Sequence, residues 1–229
     1  MNVRGSLTAG LAKQLGAPTG LRGRLVGAML NRANRNTVAQ AVAELSLPSD
    51  AFVADVGFGG GIGLQLLLDE VAGSGQVHGV ELSETMLASA ARRHRGDIEI
   101  GRLHLHEASM TRLPLPDHCL DGVLSINTIY FVADLGSAFA EFARVVKGTG
   151  RVALGLGDPT AMHAAPYTAH GFRIRPVSDV IDQLGAAGLT VERDVRVGSG
   201  ADAVHLLVAT PLARTSGSGQ IPGVLPAPH

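Results

Sequence analysis

The chain has 229 residues, of which 45% are hydrophobic and 17% charged, with a formal net charge of -1. That is enough apolar material for one packed α/β domain, and the near-zero charge excludes a general electrostatic grip on nucleic acid. The single cysteine, Cys119, excludes an internal disulfide and a cysteine-based metal cluster within one chain and suits a reducing, cytoplasmic setting; no apolar run approaches the ~20 residues that span a bilayer.

Residues 1–20 contain breakers at Pro18 and Gly20 and are expected to form a flexible arm. Arg4, Lys13, Arg22, Arg24, Arg32 and Arg35 all precede the first acid, Glu44. Such a start also fits an organelle-targeting peptide, but a basic helical arm is the reading adopted here. Apolar residues recur at helical spacing over 21–45, and Pro48 ends that pattern. Strands and helices then alternate: a strand over 52–56, a helix over 62–71, a strand over 77–81 and a helix over 84–95 capped by Ser83. A third strand falls within 98–106, and a fourth over 122–126 with Asp121 at its entrance. A helix over 135–146 is closed by Gly148 and Gly150. A strand over 151–156, a helix over 178–187 and strands over 189–197 and 203–209 complete the pattern.

This alternation predicts an α/β fold: a doubly wound, mostly parallel seven-stranded sheet with helices on both faces. The last two strands follow one another without a helix, so one strand near the C-terminus should run antiparallel. The expected organisation is a single domain over 21–210, including an N-terminal helical cap, followed by a Pro-, Gly- and Ser-rich disordered tail over 211–229.

The stretch VADVGFGGGIG, residues 53–63, runs from within the first strand into the glycines directly behind it. In a doubly wound sheet the turn after that strand is the usual ligand site, where side-chain-free backbone lets a ligand lie close. The dinucleotide spacing G-x-G-x-x-G fails, because positions 62 and 64 are Ile62 and Leu64; a P-loop fails for want of a following Gly-Lys-Ser/Thr. What fits is acid-x-Gly-x-Gly-x-Gly: Asp55, Gly57, Gly59, Gly61.

This motif resembles motif I of the class I, Rossmann-like S-adenosylmethionine-dependent methyltransferases, of the small-molecule kind. Three further segments extend the resemblance over roughly residues 21–210. HGVELSETMLASAARR looks like the family's second strand, ribose-binding acid and helix. EASMTRLPLPDHCLDGVLSINTIYFVAD looks like its D-A-x-x-L-P-F-x-D-x-x-F-D segment, and EFARVVKGTGRVAL like its R-V-L-K-P-G-G segment. The series departs in three places: Glu107 replaces the usual Asp near the adenine amine, Phe58 replaces a common Cys or Ala beside the methionine moiety, and KGTG lacks Pro-Gly-Gly.

The resemblance implies S-adenosyl-L-methionine as cofactor and S-adenosyl-L-homocysteine as product. It implies that Asp55, Gly57, Phe58, Gly59 and Gly61 hold the methionine end. Glu81 would accept the ribose hydroxyls, Leu82 or Met86 would lie against adenine or ribose, and Glu107, Ala108 and Ser109 would flank the adenine. Asn127 would stand at the pocket mouth against the methionine moiety or the acceptor. His163 and His170, in the connection after the fifth strand, are candidate general bases; Tyr130 is a third catalytic candidate and with Phe131 would line the acceptor side. His104 and His106, alternating on a strand, are expected to be structural, and no metal centre is expected. The implied partner is a small, largely apolar acceptor, with no nucleic acid and no membrane span; a homodimer is left open. Aminopropyl transfer and a non-catalytic cofactor-binding module are the alternatives.

Overall fold

The computed structural model describes residues 34–212 apart from His170, Ala201 and Asp202. The expected arm over 1–20, the first part of the helix over 21–45 and nearly all of the tail lie outside the described residues, as does His170. The described part of the first helix, α1, covers residues 34–45 and buries Val38, Ala41, Val42 and Leu45 on one face.

Seven strands follow: β1 (Phe52–Val56), β2 (Gln76–Glu81), β3 (Leu103–Glu107), β4 (Leu120–Ile126), β5 (Val146–Gly157), β6 (Leu189–Val197) and β7 (Val204–Pro211). They form one sheet in the order β3-β2-β1-β4-β5-β7-β6, and β7 alone runs antiparallel. The helices after α1 are α2 (Ile62–Glu70), α3 (Glu84–Arg93), α4 (Arg95–Glu99), α5 (Leu135–Val145), α6 (Pro159–Ala164) and α7 (Val177–Ala186).

Both sheet faces are covered, which is why β1 reads as a continuous apolar run with a single acid. Val53, Val77, Ala153 and Leu206 pack against α1, α2 and α3 through Val38, Leu64, Leu67 and Met86. On the other face Ala54, Val80, Val123, Leu154 and Leu207 pack against α5 and α7 through Phe139, Phe142, Val180 and Leu184. No helix lies between β3 and β4. There Met110, Leu113 and Leu115 supply apolar cover, and Arg144 of α5 binds the stretch by donating to the carbonyls of Leu113 and Leu115 and pairing with Asp117 and Glu141.

Four boundaries differ from the sequence pattern. The α3 helix stops at Arg93, and residues 95–99 form a separate short helix. Arg102 secures it by donating to the carbonyls of Leu68 and Val71 and pairing with Asp97, so β3 begins only at Leu103. Secondly, α5 passes into β5 without a loop, and the pairing slips from Leu120↔Val146 to Gly122↔Arg151. The glycines expected to stop the helix therefore sit in an irregular part of the strand. A Cβ on Gly150 would come within 2.7 Å of Val146 and 2.9 Å of the Asp121 carbonyl. Asp121, thirdly, lies inside β4, accepting from the Phe52 amide and from Lys147. Lastly, Pro211, expected to open the tail, still pairs with Leu189.

Candidate cofactor and acceptor site

The C-terminal ends of β1, β2, β4 and β5 meet at one edge of the sheet, and the glycine turn lies there. Gly57, Gly59 and Gly61 all take left-handed φ angles of +75°, +50° and +82°, a region that side chains disfavour. Each also has its own spatial reason. A Cβ on Gly57 would stand 2.4 Å from the Thr128 methyl, and one on Gly63 would stand 2.1 Å from Asp55 Oδ2. At Gly59 the only neighbour within 4 Å among the described residues is the Gly57 carbonyl oxygen, 4.0 Å away. Gly57 and Gly63 thus admit protein atoms, whereas Gly59 leaves an open face.

Two carboxylates frame this turn. Asp55 is 4% exposed, its carboxylate set against the start of α2 at Gly63. Burial, and secondarily the nearby Glu81 charge, push its pKa up to about 8. Glu81 ends β2 and bridges two turns. Its Oε2 accepts from the Gly59 amide at 2.9 Å, while Oε1 accepts from the amides of Leu82 at 2.8 Å and Ser83 at 3.0 Å. Ser83 caps α3, its hydroxyl accepting from the Met86 amide.

Leu82 is 66% exposed at the end of β2, whereas Met86 is 2% exposed. Met86 is therefore a core residue, and of the two only Leu82 presents an apolar surface to a ligand. Phe58 departs from its expected place too. Its ring is buried and packs towards Gly79, where a Cβ would meet it at 3.1 Å, so glycine at 79 makes room for it and the ring does not face the turn. Glu107 is exposed and stands beside Glu81 in the β2–β3 register. The Ala108 amide donates to the Glu81 carbonyl, and the Ser109 hydroxyl accepts from the Thr111 amide.

At the end of β4, Asn127 adopts φ +58° and its amide donates to the Gly155 carbonyl. Its side chain donates to Asn34 of α1 at 3.3 Å and accepts from the Tyr130 hydroxyl at 3.2 Å. The same hydroxyl accepts from the Gly157 amide. Tyr130 is buried and so enters the site as a brace between β4 and β5, not as the acceptor-facing catalytic group the sequence suggested. Phe131 and Phe172 stack edge-on at 4.8 Å, with Tyr130 against Phe172 at 5.6 Å. His163 is exposed on α6 and lines an open recess of about 490 Å³ with Pro166, Phe172, Arg173 and Ile174. His104 and His106 stack with His78 across β2 and β3, and burial lowers the pKa of His78 to about 4. Burial lowers the pKa of His106 as well, and its ring pairs with His78 at 3.1 Å, whereas His104 Nε2 is buried without a hydrogen-bond partner among the described residues.

Sequence reasoning missed three members of the site. Arg93 donates from the last turn of α3 to the Gly60 carbonyl at 2.9 Å, clasping the glycine turn. Thr128 fills the space left by Gly57. Asn34 brings α1 onto Asn127. None of the three carries a spacing signal, although the left-handed Asn127 pointed to its own neighbourhood.

The profile of a family described as "Methyltransferase domain" matches residues 54–154, from β1 into β5. That segment matches a methyltransferase domain, and the seven-stranded sheet matches the methyltransferase fold. Among curated relatives, an uncharacterized 37.1 kDa protein in transposon TN4556 of Streptomyces fradiae is 30% identical over 151 residues, 61% of this chain and 40% of that one. The uncharacterized methyltransferase YdaC of Bacillus subtilis is 25% identical over 155 residues, 68% of this chain and 82% of that one. The chain thus matches less than half of the Streptomyces protein. In fold, it is similar to geranyl diphosphate C-methyltransferase from Streptomyces coelicolor A3(2), with a TM-score of 0.67 at 18% identity over 86% of this chain and 88% of that one. The family's cofactor, S-adenosyl-L-methionine, is compatible with the residues present: an open backbone face at Gly59, a carboxylate beside it at Glu81 and a buried acid at Asp55. Among the described residues no helix is long and apolar enough to cross a membrane.

Proposed function

We propose that the protein transfers the methyl group of S-adenosyl-L-methionine to a small, largely apolar acceptor, with S-adenosyl-L-homocysteine as product. The observation that carries this reading is the Glu81 carboxylate at the open face of Gly59, where backbone and acid together offer a cradle to a ribose. When bound, the cofactor supplies an electrophilic sulfonium methyl, so the hard chemistry is its own. What falls to the protein is orientation and exclusion of water.

In this reading Glu81 accepts from the ribose hydroxyls, since a carboxylate has acceptor capacity beyond its bonds to Gly59, Leu82 and Ser83. Leu82 covers the adenine, and Glu107, Ala108 and Ser109 border it. Gly57, Gly59 and Gly61 shape the turn for the methionine end, and Asp55 orients its amine. Asn127, fixed between Asn34 and Tyr130, marks the border between methionine and acceptor. Phe131 and Phe172, backed by the buried Tyr130, form the apolar wall of the acceptor side. His163, exposed beside that wall, takes the proton of a hydroxyl or amine acceptor. His170, the other candidate base, lies outside the described residues.

The test begins with calorimetric titration by S-adenosyl-L-methionine, S-adenosyl-L-homocysteine and NAD. Micromolar binding of the first two without NAD is the expected result, followed by a radiolabelled methyl-transfer screen over small acceptors. Binding of neither adenosyl compound would withdraw the reading.

A further inference from the structure

The acceptor side carries an unbalanced charge. Residues 159–177 contain His163, His170, Arg173 and Arg175 and no Asp or Glu, and the turn over 129–133 has no charged residue. The two arginines do different work. Arg175 is spent on backbone: its guanidinium donates to the carbonyls of Ile129 at 3.1 Å and Val132 at 2.7 Å, and also to that of Arg173 at 3.3 Å. Arg173 is held by its own backbone, its amide donating to the Tyr130 carbonyl at 2.9 Å. This short segment is therefore pinned to the turn that follows Asn127.

The Arg173 side chain is left exposed and makes no ion pair among the described residues. Burial, and then the Arg173 charge, lower the pKa of Arg175, as expected of two neighbouring cations with no acid between them. Arg173 lines the recess of about 490 Å³ together with His163, Pro166, Phe172 and Ile174, a size suited to a small molecule. Phe172 joins that recess to Tyr130 and Phe131, and through them to the mouth of β4.

A recess of mixed lining, with Phe172 and Pro166 on its wall and an exposed guanidinium that makes no ion pair among the described residues at its rim, suits one kind of guest. We propose that the methyl acceptor is a small apolar molecule bearing one anionic head, carboxylate or phosphate, received by Arg173 at this recess. The proposal rests on the methyltransferase reading above and narrows its substrate class. A planar guanidinium binds either oxyanion through two parallel hydrogen bonds. It holds the anion away from the reacting atom and leaves the apolar body against Phe172. A cationic acceptor such as a polyamine is repelled by the same charges, which separates this site from an aminopropyl-transfer pocket.

The experiment is calorimetry on protein saturated with S-adenosyl-L-homocysteine, titrated with 3-phenylpropionate, phenyl phosphate and the neutral 3-phenylpropionamide. At least one anion is expected to bind about tenfold or more tightly than the amide, as a charge-assisted pair should. The tighter of the two anions identifies the head group. In Arg173→Gln the preference should collapse to less than about twofold while homocysteine-product affinity stays unchanged, and Arg173→Lys should restore part of it. Arg95→Gln, on the distant α4, should change nothing. An amide that binds as well as both anions, anions that fail to bind below about 5 mM, or a preference that survives Arg173→Gln would each overturn the proposal. Failure of S-adenosyl-L-homocysteine itself to bind the wild-type protein would overturn the cofactor reading, and this proposal with it.

Discussion

The Gly59 amide donates to Glu81 Oε2 at 2.9 Å, across 22 residues of sequence. One carboxylate therefore locks the turn after β1 to the turn after β2, because its other oxygen holds the amides of Leu82 and Ser83. Glu81→Ala removes the acceptor of three backbone amides and that of the ribose. Its expected cost is about 1–3 kcal/mol in stability, with S-adenosyl-L-homocysteine affinity falling by roughly 5- to 150-fold. Calorimetry on the folded variant checks it, and unchanged affinity would remove Glu81 from the ribose.

The sheet was legible because its physics is periodic. Short apolar runs buried on both faces, separated by amphipathic helices, determine a parallel sheet, and two consecutive strands determine the closing hairpin. The acids at the ends of β1 and β2 were legible because chain direction places them at the same edge as the glycines. What stayed hidden depends on contacts between segments remote in sequence. Met86 and Leu82 look alike as apolar residues near a cap, and only packing against α2 buries the first and leaves the second exposed. Phe58 looked like a pocket residue until Gly79 gave its ring a place in the core. Tyr130 looked like an acceptor-facing aromatic, and its hydroxyl instead joins β4 to β5.

Gly63 and Asp55 form a second dependent pair. A Cβ at residue 63 would overlap Asp55 Oδ2, at 2.1 Å, and approach Leu124 at 3.1 Å. Gly63→Ala is therefore expected to destabilise the protein by about 1–3 kcal/mol, although alanine is the better helix former. Removing the obstacle should rescue part of that loss, so the double variant Asp55→Ala/Gly63→Ala should lose less than the two single losses added together. Additive losses in denaturant unfolding would show that the clash is relieved elsewhere.

Asp55 also gives stability a pH dependence of definite sign. Its pKa rises from 3.8 to about 8 on folding, so the folded protein binds the extra proton between these values. The stability it contributes is full below about pH 4 and is lost as pH rises through about 8. His78 acts oppositely: its pKa falls from 6.5 to about 4, so its contribution grows as pH rises through that window, and burial also lowers the pKa of His94 and His106. Above about pH 6.5 Asp55 acts against no histidine slope. Thermal unfolding should therefore show stability falling between pH 6.5 and 8, and Asp55→Asn should flatten that decline. If the cofactor amine meets Asp55, binding near pH 7 should also release protons, which calorimetry in buffers of different ionisation enthalpy measures.

Tyr130 separates a brace from a catalyst. Its hydroxyl donates to Asn127 Oδ1 and accepts from the Gly157 amide, and Asn127 in turn reaches Asn34 of α1. Tyr130→Phe keeps the ring against Phe172 but leaves the Gly157 amide and the Asn127 oxygen short of a partner. About 1–3 kcal/mol of stability should be lost, because a buried group is left unsatisfied. Freed from the hydroxyl, Asn127 should relax, and S-adenosyl-L-homocysteine should bind several-fold more weakly if Asn127 borders the methionine moiety. A tyrosine acting as general base would behave differently: turnover would fall by about 10²- to 10⁴-fold with melting temperature and product affinity unchanged. Both readouts are available before any acceptor is known. A variant that melts and binds like the wild type would return Tyr130 to the catalytic candidates beside His163.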